Sequence, residues 1–412
     1  MNVWYNILLY SVWFLSTYYV VLLLLIMFSG QDKLYEKRKF TKDHAKRITV
    51  LVPAYNEEKK IAFTIDSLKK IKYDDIEFII INDGSKDKTS SVVRTAIKGD
   101  KRFVFIDRKE NKGKAASLNE GIARASGEFI ATMDADSVVE TKIFQKTLPY
   151  FEKKDVAAVT VSVLVKNPKT ILHKIFELEY IIGLSLFLKV FSMCDSVFVT
   201  PGPFSMYRTS VLREIGGFDI HNITEDTEIA YRIQKKRYRI ENCLEAKAYT
   251  IVPPTFKEVC VQRKRWYSGA IQTLYTHRNM LLSNKYGAFG YFVFFNYLLI
   301  AFGLVLFSAS IYLTISKLIE NIFYYNYTGW DIFRYWTHIE WDVLNYSRAT
   351  VLGFISLFFT LSVLFIGLYM TKTKYKTRKT GIIGYPFLFF FYQFFWIISL
   401  IAIIRRKKIQ WR

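Results

Sequence analysis

Two carboxylates, Asp134 and Asp136, flank a single alanine directly after the apolar stretch EFIATM. In an extended chain, residues two apart point to one side, so both acids are expected to face one site. Hard oxygen ligands at a strand end suit Mg²⁺ or Mn²⁺ bridging to a diphosphate, although many such strings are solvated turns. Asp83 closes another apolar stretch within Ile81-Asn82-Asp83-Gly84-Ser85. There it could cap the next helix through an Asx turn or accept the N–H of a nucleotide base.

Three further strings add donors and a base. Lys114 ends Asn111-Lys112-Gly113-Lys114 ahead of the helix expected at 115–125. A helix start with a lysine favours phosphate, and two solvated loop lysines are the plain alternative. Thr224-Glu225-Asp226 precedes a helical run at 227–234. It reads as a helix start with Thr or Asp capping, or as carboxylates able to take a proton from an attacking hydroxyl. In Gln262-Arg263-Lys264-Arg265-Trp266, the helical spacing i, i+3, i+4 puts Gln262, Arg265 and Trp266 on one face. That face joins donors for a pyrophosphate to a flat ring on which a sugar can stack. A basic aromatic helix lying in a membrane interface would carry the same pattern.

The elements that must hold these residues alternate. Strands are expected at 48–53, 77–81, 103–106 and 128–133, with helices at 58–71, 90–97 and 115–125 between them. The first two strands are almost wholly apolar, as buried parallel strands are. The pattern predicts an α/β domain with a doubly wound parallel sheet, whose ligands bind at the carboxyl ends of the strands. Asn56 and Glu57, Asn82 and Asp83, and Asp134 to Asp136 all sit at those ends. A further strand is expected at 156–165 and a mostly apolar helix, resting on the membrane side, at 171–190.

The 412 residues carry 58 basic and 36 acidic side chains, a net charge of +22, yet 51% of them are hydrophobic and 17% aromatic. That much apolar mass excludes disorder and turns attention from nucleic acid to membrane. The three cysteines, Cys194, Cys243 and Cys260, have no C-x-x-C spacing and form no disulfide framework. Residues 1–30 contain no charge and are long enough to cross a hydrocarbon core of roughly 30 Å. They lack the basic start and cleavage site of a signal peptide, so a retained anchor is expected. Three more apolar stretches lie at 287–316, 349–370 and 381–404.

Residues 31–285 net +13, the loop 317–348 nets −1, and residues 371–412 carry ten basic and no acidic side chains. The positive-inside rule then predicts a cytoplasmic middle and an outer aromatic loop, and four spans with both termini outside are expected. Segment 381–404 is the exception, with five basic residues on each side. A break near Gly384 and Pro386 would relieve the conflict, but 24 residues are too few to cross twice. The expected organisation is an N-terminal span at 1–30, a catalytic domain at 31–255 and interfacial helices at 256–286. Three C-terminal spans within 287–404 and a basic tail at 405–412 follow. Sequons at Asn326 and Asn345 fall on the predicted outer loop.

Taken together and in this order, the strings resemble family 2 glycosyltransferases with a GT-A fold. More narrowly, they resemble membrane-embedded processive β-polysaccharide synthases of the cellulose, hyaluronan and poly-N-acetylglucosamine types. The likeness runs from Val50-Leu51-Val52-Pro53-Ala54-Tyr55-Asn56-Glu57-Glu58 to about Arg278. The T-E-D form, the single N-terminal span, Gly202 and the stretch from Gly216 to Asp219 point toward poly-β-1,6-N-acetyl-D-glucosamine synthases.

The resemblance implies that Tyr55 lies against uracil, Glu57 near the nucleoside, and Asp83 on the base. Lys114 would contact the diphosphate, Asp134 the ribose or metal, and Asp136 the Mg²⁺ or Mn²⁺ itself. Asp226, beside Glu225, would be the general base; Gln262 and Arg265 would hold the leaving pyrophosphate, and Trp266 would stack on the acceptor sugar. A UDP-sugar donor, a growing polysaccharide acceptor, membrane lipids and a small accessory membrane subunit are the implied partners, with no nucleic acid. Two features depart from the family: Asn82 replaces a common second aspartate, and Pro201-Gly202-Pro203-Phe204-Ser205 is not the acceptor string of cellulose synthases.

Two rival readings remain at this level. A single-transfer enzyme could use the same site on a lipid-linked acceptor, but such relatives usually lack Q-x-x-R-W. A basic scaffold without catalysis predicts its charges clustered on one binding element, and here they are spread.

Overall fold

The computed structural model describes residues 3–34, 36–328, 348–373 and 378–405. They divide into two compact units, one of residues 26–294 with 366–412 and one of residues 1–25 with 295–365. The first helix, α1 (Val3–Ser29), contributes to both.

The larger unit is built on an eight-stranded sheet in the order β3-β2-β1-β4-β7-β6-β8-β5. Its strands are β1 (Ile48–Ala54), β2 (Ile76–Asp83), β3 (Phe103–Arg108), β4 (Phe129–Thr132), β5 (Val138–Val139), β6 (Val156–Val165), β7 (Ser205–Arg208) and β8 (Arg239–Thr250). All seven residues of β1 are buried, because helices cover both faces of the sheet there. On one side of it, α2 (Ile61–Lys69) turns Ile61, Ile65 and Leu68 inward at helical spacing. Full burial stabilises each such side chain by about 1.5–3 kcal/mol relative to exposure. Next come α3 (Thr89–Ile97) and α4 (Lys114–Arg124). Helix α4 can approach β1 closely because Gly121 has no side chain: a Cβ there would lie 2.8 Å from Leu51 Cδ2.

Strand β1 pairs in parallel with β2 on one side and with β4 on the other, Ile48 lying opposite both Ile76 and Phe129. The chain therefore reverses its direction of travel across the sheet at β1, and the crevice beyond the ends of β1 and β4 is where such sheets bind ligands.

The sheet is mixed, not purely parallel as the alternation predicts. Strand β7 runs antiparallel between β4 and β6, and β5 runs antiparallel to β8. Only four residues long and entered through Pro201-Gly202-Pro203, β7 lacks the long apolar run that marks β1, β2 and β6. The long β8 pairs in parallel with β6, with a register shift between Val161 and Ser162.

Below the sheet, the expected apolar helix is α5 (Ile171–Ile181), a π-helical turn (Ile182–Phe187) and α6 (Leu188–Met193). Helix α7 (Glu225–Lys235) carries the T-E-D string, and α8 (Phe256–Thr276) carries Q-x-x-R-W.

The smaller unit holds most of α1, of α9 (Ala288–Thr328) and of α10 (Arg348–Met370). Segments Val3–Ser29, Ala288–Phe323 and Val351–Met370 are long and apolar enough to cross a membrane. Tyr5 Oη and Ser310 Oγ are hydrogen-bonded at 3.1 Å. Residues 317–328 of the expected outer loop are helical, because the apolar pattern continues past Lys317 and Glu320. The remainder, 329–347 with the Asn345 sequon, lies outside the described residues, as does 406–412 of the basic tail.

The last apolar stretch belongs to the larger unit. It consists of α11 (Lys379–Gly384), a 3₁₀ turn (Tyr385–Phe387) and α12 (Leu388–Ile404), bent by 49° at the expected break. Pro386 sits in that turn and cannot donate a helical hydrogen bond. Gly381 and Gly384 let α11 press on α5, where a Cβ would meet the Lys174 carbonyl at 2.7 Å and Ile175 Cδ1 at 2.5 Å.

Candidate functional site

The loop after β1 is tied to the loop after β2. Asn56, in the left-handed region (φ 54°), donates its N–H to Ser85 Oγ and accepts the Lys86 N–H on Oδ1, both at 2.9 Å. Tyr55 is half-buried just before it, and buried Glu57 donates its N–H to Thr89 Oγ1. Asp83 is buried: Oδ1 accepts from Arg108 Nη1 and the Lys112 N–H, and Oδ2 from the Gly113 N–H at 2.8 Å. Asp83 thus holds the glycine turn (φ 91° at Gly113) from which Lys114 opens α4. Arg108, unmarked in the sequence reading, also pairs with Glu120 at 2.5 Å.

Lys114 joins two of the acidic strings. Its Nζ lies 2.7 Å from Asp134 Oδ1 and 2.6 Å from Glu225 Oε1. Burial alone would pull this lysine's pKa down, but Asp134, Glu225 and Asp226 raise it overall, so it is fully charged. Gly202 makes the approach possible: its carbonyl accepts the Asp134 N–H, and a Cβ there would fall 2.7 Å from Asp134 Oδ2 and 2.9 Å from Lys114 Nζ.

The alternation argument for Asp134 and Asp136 does not hold in detail. Strand β4 ends at Thr132, and the two acids lie in a turn closed by the Ser137 N–H on the Asp134 carbonyl. Each carboxylate has its own lysine, Lys114 for Asp134 and Lys60 for Asp136 (3.3 Å); Lys60 also meets Glu57 at 3.5 Å. The acids still feel each other, since burial and then the Asp134 charge push the Asp136 pKa up. Among the described residues, no group of three or more His, Cys, Asp and Glu side chains is spaced to hold a metal. Two hard carboxylates nonetheless fit Mg²⁺ or Mn²⁺, which commonly take one or two protein carboxylates and complete their shell with water and substrate phosphate.

Asp226, in the first turn of α7, has its pKa pushed up to about 6 by burial and then by the Glu225 charge; Lys114 and Arg265 pull the other way. Its carbonyl is held by the N–H and hydroxyl of Thr200. Thr224 occupies the N-cap position but makes no side-chain cap: its hydroxyl turns to Asn222 Oδ1, and only its carbonyl accepts, from Glu228 N–H.

Helix α8 presses directly on this string. A Cβ at Gly269 would lie 2.3 Å from Thr224 Oγ1, while Gln272 and Thr273 bond Ile223 N–H and Asn222 Nδ2. Gln262, Arg265 and Trp266 are all half-buried on α8. The structure thus brings together Lys114, Asp134, Glu225, Asp226 and Arg265. It groups Glu57 with Asp136 through Lys60, and it sets Asp83 behind the turn of Lys114. Trp266 is engaged by a different neighbour, the guanidinium of Arg263, 4.4 Å from its ring centroid.

A profile described as "Glycosyl transferase family 2" matches residues 49–216, from β1 to just past β7. The chain carries a glycosyltransferase family 2 domain. The fold is of the GT-A type. Poly-beta-1,6-N-acetyl-D-glucosamine synthases of Staphylococcus aureus are 31% identical over 273 residues, 66% of this chain and 66% of theirs. The match thus spans just under two thirds of those relatives' length. The Staphylococcus epidermidis protein of the same name is 27% identical over 414 residues, covering 98% of this chain and 95% of its own. Among solved structures, the mannosyltransferase PcManGT from Pyrobaculum calidifontis, in complex with GDP-Man and Mn²⁺, superposes with a TM-score of 0.57 at 18% identity. It covers 84% of this chain and 97% of its own, a likeness of fold alone.

Lys60, Arg108, Gly269 and Glu179, whose carboxylate meets Arg263 at 2.7 Å, belong to none of the motifs in the sequence. The three charged residues reach their partners from separate segments, so no local spacing marks them. Gly269 alone had a local cue, a small residue one turn after Trp266 on the helix bearing Q-x-x-R-W.

Proposed function

We propose that this chain is an inverting glycosyltransferase that moves N-acetylglucosamine from a UDP-sugar onto the end of a growing β-linked polysaccharide. The observation that carries the reading is Lys114 bridging Asp134 to Glu225, with Asp226 beside them. This contact network supports the roles proposed here: Asp134 as a donor-side acid, Lys114 as a phosphate-compatible cation and Asp226 as the base. The polymer and sugar follow from the synthases to which the chain is similar along nearly its whole length.

In this reading Asp226 accepts the proton of the acceptor hydroxyl as that oxygen attacks the anomeric carbon. Attack opposite the departing UDP inverts the centre and gives a β-link from an α-linked donor. A base whose pKa is near 6 is ionised at neutral pH yet basic enough to take the proton. Lys114 and Arg265 stabilise negative charge that grows on the diphosphate, and Gln262 donates to it. Asp134 and Asp136 would hold a divalent cation, which when bound supplies further charge neutralisation at the leaving group. Tyr55, Glu57 and Asp83 form the nucleoside side, Asp83 acting in part through the Gly113 turn that it fixes.

Elongation is proposed to be processive, with the catalytic unit on the cytoplasmic side and the product passing through the chain's own apolar helices. Arg378, just ahead of α11, meets Glu177 of α5 at 2.6 Å. The test is transfer by the Asp226→Asn variant. A drop of about 10²–10⁴-fold in turnover with UDP still bound supports the base assignment; transfer at the wild-type rate rejects it.

A further inference from the structure

Helix α5 carries two acids that point to different segments. Glu177 takes Arg378, ahead of α11, and Glu179 takes Arg263 of α8 through both oxygens, at 2.8 and 2.7 Å. Arg263 is only 3% exposed. Its guanidinium lies 4.4 Å from the ring centroid of Trp266 and 5.2 Å from that of Phe176. The next residue, Tyr267, stacks flat on Trp396 of α12, with centroids 4.3 Å apart and planes 3° from parallel. Helix α8 is thus fixed from behind at the turn that presents Gln262, Arg265 and Trp266.

We infer that Glu179 and Arg263 are a positioning pair that sets the plane of Trp266 for stacking on the acceptor sugar. The inference rests on the proposed acceptor role of Trp266. A carboxylate gripping a guanidinium at two points fixes the plane of that group, which a lysine ammonium could not do. A guanidinium held over an indole ring in turn favours one ring orientation. The string Gln262-Arg263-Lys264-Arg265-Trp266 therefore holds two arginines with separate tasks: the charge of Arg265 lowers the Asp226 pKa, and Arg263 orients Trp266 from within.

The geometry also explains why stability alone is a poor account of the pair. Buried ion pairs replaced by apolar groups of similar size often leave a protein as stable as before, whereas removal of one partner is costly. The double variant Glu179→Leu/Arg263→Met therefore keeps the packing and removes the plane-setting contact without leaving a lone charge. Arg263→Lys keeps the charge and loses the two-point grip.

The experiment compares full-length wild type and both variants in detergent, with UDP binding, thermal midpoint, and transfer to a β-1,6-linked N-acetylglucosamine pentamer. The expected result for the double variant is UDP affinity within twofold and an unchanged midpoint. Its acceptor KM should rise tenfold or more and its products should be shorter, with Arg263→Lys in between. Wild-type acceptor KM and product length in a folded double variant would overturn the role. Parallel loss of UDP binding, midpoint and acceptor use in both variants would also overturn it, as a merely structural pair. Failure of the wild type itself to transfer to the pentamer would sink the proposed function, and the acceptor role of the pair with it.

Discussion

Lys114 Nζ and Glu225 Oε1 meet at 2.6 Å, joining the first turn of α4 to the first turn of α7. These residues are 111 positions apart, and both side chains are largely buried. The bond links the loop after β3 to the helix that bears the candidate base. Replacing Lys114 by Gln should therefore do more than weaken UDP. It leaves Asp134 and Glu225 without their shared cation, and loss of one partner of a buried pair costs about 3–5 kcal/mol. UDP titration and a thermal melt of the variant check both effects.

The pH profile tests the same cluster. With its pKa near 6, Asp226 must be ionised to act, so kcat/KM should fall about tenfold per unit below pH 6. Removal of Lys114 takes away a charge that lowers this pKa, so the acid limb of Lys114→Gln should move to higher pH. Folding stability has the opposite sense. Between the ordinary carboxylate value of 3.8 and about 6 the folded state holds a proton that the unfolded chain has lost. This group's contribution to stability therefore declines as pH rises through that window.

Gly202 offers a steric test. A Cβ at this position would intrude on both Asp134 and Lys114, which must keep their places for the donor side to form. Gly202→Ala should lower turnover by an order of magnitude or more while moving the thermal midpoint by only a few degrees, roughly the shift of a 1 kcal/mol change. Activity assays on the folded variant decide this.

Metal dependence follows from the two-carboxylate set. Chelation should abolish transfer, Mn²⁺ or Mg²⁺ should restore it, and Asp136→Asn should raise the metal concentration needed for half activity. Metal titration of activity in wild type and variant is the measurement.

Much of this site was legible in the sequence because its motifs each mark the end of a strand or the start of a helix. Apolar runs marked β1 and the strand ends that carry Asp83 and Asp134, and helix-start residues marked the first turns that carry Lys114 and Asp226, while the roles of all four were implied by the family resemblance alone. The partners across the fold did not, since Lys60 reaches Asp136, and Glu179 reaches Arg263, over separations that no periodicity records. Strand β7 was hidden for a related reason: its four residues gain strand geometry from β4 and β6 on either side rather than from their own composition. The turn at Asp134 shows the limit of alternation, which holds only while the strand lasts.

The most direct test of the central claim is product analysis of the purified full-length chain in nanodiscs, supplied with a panel of UDP-sugars and Mg²⁺ or Mn²⁺. UDP-N-acetylglucosamine alone is expected to support a long polymer that contains only β-links. A single sugar added per acceptor, or no transfer from any UDP-sugar, would contradict it.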